Sequence, residues 1–411
     1  MTASGVAVVG TGISGLTLAL RLQQLGVDVT LYAERSAEGH RKGTLPNVVL
    51  RYEHTLARER ALGVDHFSFE GSQVTCMYLS ARTDPPVAFR GDSMYPSQAV
   101  DFRVLLPRFL EDFEARGGHV VVTGRAASVG DVSAWSERHE VVVVAVGRRS
   151  LAELFLRDPA RSPYDRPQRL VCAGLFTGIA LPDPLGVSYN VSPGCGEIFQ
   201  MPIWTRAGVV SSLLCEAVPG GPLEPLTHLS RDDLRGFSRT VESLLAEHAP
   251  RIAERIDTLA LLGPDDLLQG ALTPVVRQPW AVLPTGRIAL AIGDAWITND
   301  PITGQGANLG SHCAWVTADA IVAGGPYGET FAQRLGAEMW KFAGPVTEWT
   351  NASLQPLPDH VLAFLAAAAH DQKLADLFFN LFNDPVRLWA ILSDPDRTQM
   401  LVDAHACADT P

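Results

Sequence analysis

At 411 residues the chain is too long for one small core and points to two closely joined domains with a helical extension. Apolar residues make up 46% and are spread evenly, which excludes a disordered chain, and no apolar run approaches the length of a membrane span. A net charge of −12 excludes nucleic acid and anionic membrane as expected partners, while leaving local phosphate binding by backbone N–H groups open.

The first element is the most readable. A β-branched run, Val6 to Val9, meets Gly10-Thr-Gly12-Ile-Ser14-Gly15. Apolar residues at 16, 18, 20, 22 and 25 predict a packed helix, and a second strand from Val27 to Tyr32 ends just before Glu34 and Arg35. The glycines permit a tight turn, close approach of a pyrophosphate and close helix–strand packing, and the helix N-terminus faces negative charge. Glu34 is placed to accept hydrogen bonds from ribose hydroxyls, with Arg35 beside it in the cofactor site. A dinucleotide is expected here; which one is open at this point. The early strand leaves no room for a signal peptide, so a soluble, cytoplasmic protein is expected.

Residues 60–92 alternate strand character with loop residues, and residues 98–118 show helical spacing before Gly117-Gly118. The segments 119–124 and 139–150 read as strands, the second buried on both faces. Residues 186–218 read as antiparallel strands joined by Pro-Gly and Ala-Gly turns. Helices are expected around 230–247 and 249–262. The segment 286–295 resumes the parallel-sheet style, and nearly everything beyond Ala307 is helical. Six cysteines, at 76, 172, 195, 215, 313 and 407, form no C-x-x-C pair, so buried thiols in a reducing compartment are expected and no metal site is.

A second glycine-rich stretch, Gly293 to Trp315, follows a strand far from the first. FAD, held extended, needs such a second contact zone. Asp294 is placed to accept from ribityl hydroxyls. Pro301 fixes its own φ and biases Asp300 away from helix, which suits a rigid wall beside the flavin ring. Gly304, Gln305, Gly306, Ala307 and Asn308 open a helix whose N–H groups would face the anionic edge of reduced flavin. The expected fold is α/β. An interrupted Rossmann-type FAD-binding domain (1–50, 95–160 and 285–330) carries an inserted β-rich substrate domain (51–94 and 161–284), and C-terminal helices follow (331–411).

Gly10-Thr-Gly-Ile-Ser-Gly15, "AVG" at 145–147 and "GDAWITNDPITGQGAN" resemble the p-hydroxybenzoate-hydroxylase-like flavoprotein monooxygenases. The segments "SQAVDFR", "RSPYDRPQRLVCAGLFTGI", "SPGCGEI", "LPDHVLAFL" and "FNDPVRLW" extend the resemblance nearly end to end, to the styrene/indole monooxygenase oxygenase component. The resemblance implies a two-component system in which a separate NADH-dependent flavin reductase supplies reduced FAD. O2 then gives a C4a-hydroperoxyflavin that epoxidises a small aromatic alkene or indole, and also oxidises sulfides. It also implies that Asn47 orients the hydroperoxide or substrate, and that Ser97 and Gly147 line the flavin pocket while Arg103 fixes the "SQAVDFR" loop. Single-component relatives carry Asp-Gly where this chain has Val146-Gly147-Arg148-Arg149. Thr44, Val74 and Met77 stand where relatives have Arg, Tyr and His, which implies a more apolar pocket, with Phe176, Phe199 and Trp204 as further lining. A larger aromatic or terpenoid substrate, or a flavin-binding protein without oxygenase activity, are the alternatives, and a homodimer is left open.

Overall fold

Two runs of four apolar residues, Val6–Val9 and Val141–Val144, are buried along their whole length, as central strands covered on both faces require. In the computed structural model, which describes residues 4–406 other than 69, 70, 72 and 148, they lie side by side in parallel. Across this sheet the order among the described residues is Trp280–Val282, Ile288–Ala291, Val141–Val144, Val6–Val9, Val29–Ala33 and His119–Val122. All pairings are parallel except that of the edge strand Trp280–Val282. Strands from the start, the middle and the late part of the chain thus form one sheet, the interrupted Rossmann-type arrangement expected from the sequence. The helices Ile13–Gln24 and Gly306–Val322 pack on it and on each other.

The second sheet is mainly antiparallel and is built around Leu170–Ile179, Gly208–Ala217, Gly196–Thr205, Gly186–Ser192, Val74–Ala81 and Val87–Ala99. Side chains alternate between its faces with period two. Val171, Ala173, Leu175, Phe199, Met201 and Leu214 face the C-terminal helices, joining Leu365, Phe378 and Phe382 in one core. Cys172, Phe176, Ile198, Leu213 and Cys215 face the other way, onto Phe237, Val241 and Leu245 of the helix Leu234–His248. Gly91 lets the helix Gln372–Asn380 press onto the sheet, since a Cβ there would lie 2.4 Å from the Ala375 carbonyl oxygen.

Three local expectations are corrected. The stretch 249–262 is not a helix beyond Ala253, because Ile256–Leu261 pairs as a strand with Leu170–Ile179. Residues 53–62, read as strand-and-loop territory of the β-rich unit, form a helix that packs on Ile13–Gln24 and Gly306–Val322. Trp280–Val282, also assigned to that unit, pairs instead in the parallel sheet. Among the described residues no helix is long and apolar enough to cross a membrane and no cluster could hold a metal ion. Cys76, Cys172, Cys195, Cys215 and Cys313 are free thiols, and burial pushes Cys172 and Cys313 up to about 12; Cys407 lies outside the described residues.

Candidate active site

The two glycine-rich stretches, nearly three hundred residues apart in sequence, interlock in space through one side chain. A Cβ on Gly293 would lie 2.4 Å from Ser14 Oγ, and one on Gly310 would lie 2.2 Å from it. Only glycines leave room for Ser14 to wedge between the late turn and the late helix. Gly15 is packed as tightly, since a Cβ there would lie 2.0 Å from the Gly10 carbonyl oxygen, and a Cβ on Gly147 would meet the Cβ of Asp294 at 2.0 Å. The "AVG" turn and the Gly-Asp turn are therefore neighbours.

Other glycines face open space. Nothing lies within 4 Å of where a Cβ would stand on Gly12 or Gly306. The helices beginning there, Ile13–Gln24 and Gly306–Val322, have neither a side-chain cap nor an acid in the first turn. Their N–H ends are thus left to an anionic or carbonyl-bearing group. Exposed Glu34 and Arg35 sit at the end of the second strand, next to His40. His40 Nε2 lies 2.8 Å from Thr11 Oγ1, and burial, then Arg35, push its pKa down. Asp294 is exposed, and its backbone carbonyl accepts from Arg277 Nη1 at 3.1 Å.

Asp300 is extended (φ −64°, ψ 144°), as the residue before a proline should be, and its carboxylate accepts from Ile302 N at 3.2 Å. The turn Pro301–Thr303 closes at Gly304 with φ +64°, a left-handed value that favours glycine. Beneath it lies a narrow cavity of about 30 Å³, walled by Val48, Met77, Tyr189, Phe199 and Phe382 together with Pro301 and Ile302. Phe199 stacks on Tyr189 at 4.5 Å. Among the described residues no acidic, basic or histidine side chain lines this chamber. Asn47 Oδ1 and both amide atoms of Asn299 are buried without a partner among the described residues, on the two segments that flank the chamber.

A charged layer lies on the same face of the sheet. Arg169 grips Glu197 through two hydrogen bonds, Nε to Oε2 at 2.7 Å and Nη2 to Oε1 at 2.9 Å. Glu197 stands opposite Glu216 across the paired strands, and the Glu216 carboxyl lies near that of Asp300. Burial, then the Asp300 charge, push the Glu216 carboxyl well above its ordinary value.

The structure brings Gly10, Gly12, Ser14, Gly15, Gly147, Asp294, Gly304 and Gly306 into one region, with Pro301, Met77 and Phe199 beside it. Asn308, although adjacent, has its side chain fully engaged. Its Oδ1 accepts from Tyr52 N and Thr55 Oγ1, and its Nδ2 donates to the Leu50 and Gly304 carbonyls. Gln305 is buried, and its Nε2 donates to the Phe382 carbonyl at 2.9 Å. Arg103 is clamped by Asp101 and Asp266, both at 2.6 Å, and donates to the Asp265 carbonyl. Ser97 is buried at the strand end opposite Val74. Val74 joins the core around the chamber without reaching its wall, and Thr44 is exposed. Phe176 is corrected to the far face, where it stacks near Phe237, and Trp204 packs against the parallel-sheet core instead of the chamber. Period-two counting along "LVCAGLF" would have separated Phe176 from the odd-numbered residues. Tyr189, Ile302 and Phe382 were missed, because aromatic and apolar residues in strands and turns give no signal of their own. Arg148 lies outside the described residues.

Residues 147–255 match the family described as "Styrene monooxygenase A putative substrate binding domain". The chain is 35% identical over 408 residues to "Styrene monooxygenase StyA" of Pseudomonas fluorescens, covering 98% of both chains. Among solved structures, a triple mutant of the flavin-dependent brominase Bmp2 superposes with a TM-score of 0.67 at 13% identity, covering 98% of this chain and 99% of the other. The tetrameric form of 2-methyl-3-hydroxypyridine-5-carboxylic acid oxygenase superposes at 0.59 and 17% identity, covering 94% and 98%. At those identities the two structures speak for the fold alone.

Proposed function

The chain belongs to the styrene monooxygenase family, and from that premise we infer that it is the FAD-dependent oxygenase component of a two-component system that epoxidises a neutral aromatic alkene such as styrene or indole. Reduced FAD, when bound, supplies the activation of O2, one oxygen atom going to the alkene and the other leaving as water. A separate NADH-dependent flavin reductase is the partner that delivers it, and thioethers are alternative oxygen acceptors.

The observation that carries this reading is the position of the Pro301 turn. It stands between the uncapped start of the helix Gly306–Val322 and a mostly apolar chamber that, among the described residues, no acidic, basic or histidine side chain lines. Oxygen transfer from a flavin asks the protein for exclusion of water and orientation, and little proton chemistry. The Gly10–Gly15 turn and the end of its helix suit the pyrophosphate, with Glu34 and Arg35 toward the adenosine ribose. Asp294, Gly147 and Ser97 suit the ribityl region. The amides of residues 304–308 suit the ring edge that gains negative charge on reduction. Asn47, with an unpaired amide oxygen, is the polar group we assign to orienting the reacting partners. Val48, Met77, Phe199 and Phe382 keep water from them.

Purified protein given chemically reduced FAD and O2, with styrene, indole and thioanisole in turn, tests the assignment. Styrene oxide, the indole oxidation product or a sulfoxide is the expected result. If oxygen is consumed only to hydrogen peroxide with all three, the oxygenase reading fails.

A further inference from the structure

The chamber under Pro301, at about 30 Å³, is too small for any aromatic substrate in this structure. A closed apolar cavity of about 150 Å³ is what holds a benzene ring. Directly beyond its wall lies a cavity of about 890 Å³, between the antiparallel sheet and the C-terminal helices. The two spaces share Tyr189, Ile302, Thr303 and Phe382, so these four side chains form a partition between them. The large cavity runs from exposed Arg166 and Gln355 at the surface to that partition. Its walls are mostly apolar, with Leu79, Val361, Leu365 and Trp389 among them. The charged pair in its floor, Arg169 and Glu197, is neutralised internally by the bidentate contact. Size and lining fit a small neutral molecule, not an ion.

We propose that this cavity is a second binding site, an antechamber that takes the neutral aromatic substrate from solvent and passes it across the Tyr189–Ile302–Phe382 partition to the chamber under Pro301. The proposal rests on the reaction inferred above for the identity of its occupant. The partition is built to open. Ile302 and Phe382 sit on single-turn segments, Pro301–Thr303 and Leu381–Asn383, and Gln305 Nε2, just past the first, donates to the Phe382 carbonyl. Phe382 meets Trp349 edge-on at 5.0 Å and also touches the rings of Tyr52, Phe378 and Phe379, so its rotation exchanges aromatic contacts without breaking a strand.

Titration calorimetry of styrene into the full chain, without flavin and then with FAD, tests the site apart from catalysis. Ala352→Trp, on the cavity-lining end of the helix Glu329–Ser353, is expected to raise the Kd at least ten-fold. Leu357→Trp, in the following loop, is a second blocking variant should the first fail to fold. Met77→Trp, which fills the small chamber, is expected to leave binding within two-fold while abolishing oxide formation. The proposal is overturned if both blocking variants bind styrene as the parent does. It is overturned equally if Met77→Trp loses binding as they do, or retains epoxidation. Styrene binding with this pattern but no oxide from the parent would sink the oxygenase reading and leave the site standing. Oxide formation by the parent, unaffected by the blocking variants, would do the reverse.

Discussion

Glu216 and Asp300 bury their carboxyl groups beside each other, at 0% and 1% exposure. Two carboxylates cannot share that space unless one holds a proton, and Glu216 is the one that burial favours most in the neutral form. The pair braces Asp300, which receives Ile302 N and so fixes the turn behind Pro301. A group with a raised acid pKa keeps its proton in the folded state after the unfolded chain has lost it. Its contribution to stability is therefore full below about pH 4.5 and declines as pH rises toward the folded value. Glu216→Gln, which keeps a donor and cannot ionise, is expected to flatten that decline between about pH 5 and 8 in thermal melts. A melting curve with unchanged pH dependence would show that the pair shares no proton.

Gly12 and Gly15 are one turn apart and are expected to respond in opposite ways. Gly12→Ala adds a methyl group into open space, so its melting behaviour should stay within about 0.5 kcal/mol of the parent. FAD affinity, read by fluorescence titration, is expected to fall ten-fold or more. Gly15→Ala drives its methyl into the Gly10 carbonyl and is expected to cost about 1–3 kcal/mol or the fold itself. Unchanged FAD binding by a folded Gly12→Ala would remove that turn from the cofactor site.

Asn47→Ala deletes a buried amide oxygen that has no partner, so stability is expected to hold or rise slightly. Product formed per O2 consumed is expected to drop at least ten-fold, with peroxide making up the difference. Equal coupling in parent and variant would leave Asn47 as a turn residue.

His54 and His312 are held neutral, pushed down to about 3 and about 4 by burial first and Arg58 second. Arg58 Nη2 lies 3.0 Å from His312 Nδ1, and burial lowers Arg58 itself to about 10. The unfolded chain binds protons at these histidines below about pH 6.5 while the folded chain does not. Stability is then present above that pH and lost on acidification, at roughly 1.4 kcal/mol per pH unit per histidine. Denaturant midpoints at pH 7 and pH 5 should differ less for the His54→Gln, His312→Gln double variant than for the parent.

Phe176 and Phe199 lie on opposite faces of one sheet. Phe199→Ala is expected to change the enantiomer ratio and KM for styrene, because it enlarges the chamber wall. Phe176→Ala should cost about 3–5 kcal/mol of stability with the enantiomer ratio unchanged. An altered ratio in Phe176→Ala would contradict the sheet's facing.

The parallel sheet was legible because Val6–Val9 and Val141–Val144 are unbroken apolar runs, and because Gly10, Gly15 and Gly293 leave a record in sequence where the chain packs most tightly. Helical periodicity served equally well for Phe102–Ala115. It failed at Glu53–Leu62, whose mostly polar sequence buries only Thr55, Leu56, Glu59 and Leu62. It failed again at Ile256–Leu261, a strand whose partner, Leu170–Ile179, is some eighty residues away. Non-local pairing of that kind leaves no local trace. For the same reason the Arg169–Glu197–Glu216–Asp300 layer was invisible, since it exists only once three strands and a late turn are assembled.

Ser14, wedged between Gly293 and Gly310, also imposes a schedule on synthesis. The N-terminal strand, turn and helix emerge from the ribosome first, and the strands 29–33 and 141–144 follow early, yet the late turn at Gly293 and the helix Gly306–Val322 are translated some three hundred residues later. At about 5–20 residues per second that interval is on the order of 15–60 s. During it the side of Ile13–Gln24 that packs on Gly306–Val322 stays uncovered. A nascent chain stalled before Gly293 should fail to retain FAD, whereas one released from the tunnel through Val322 has every backbone element of the cradle.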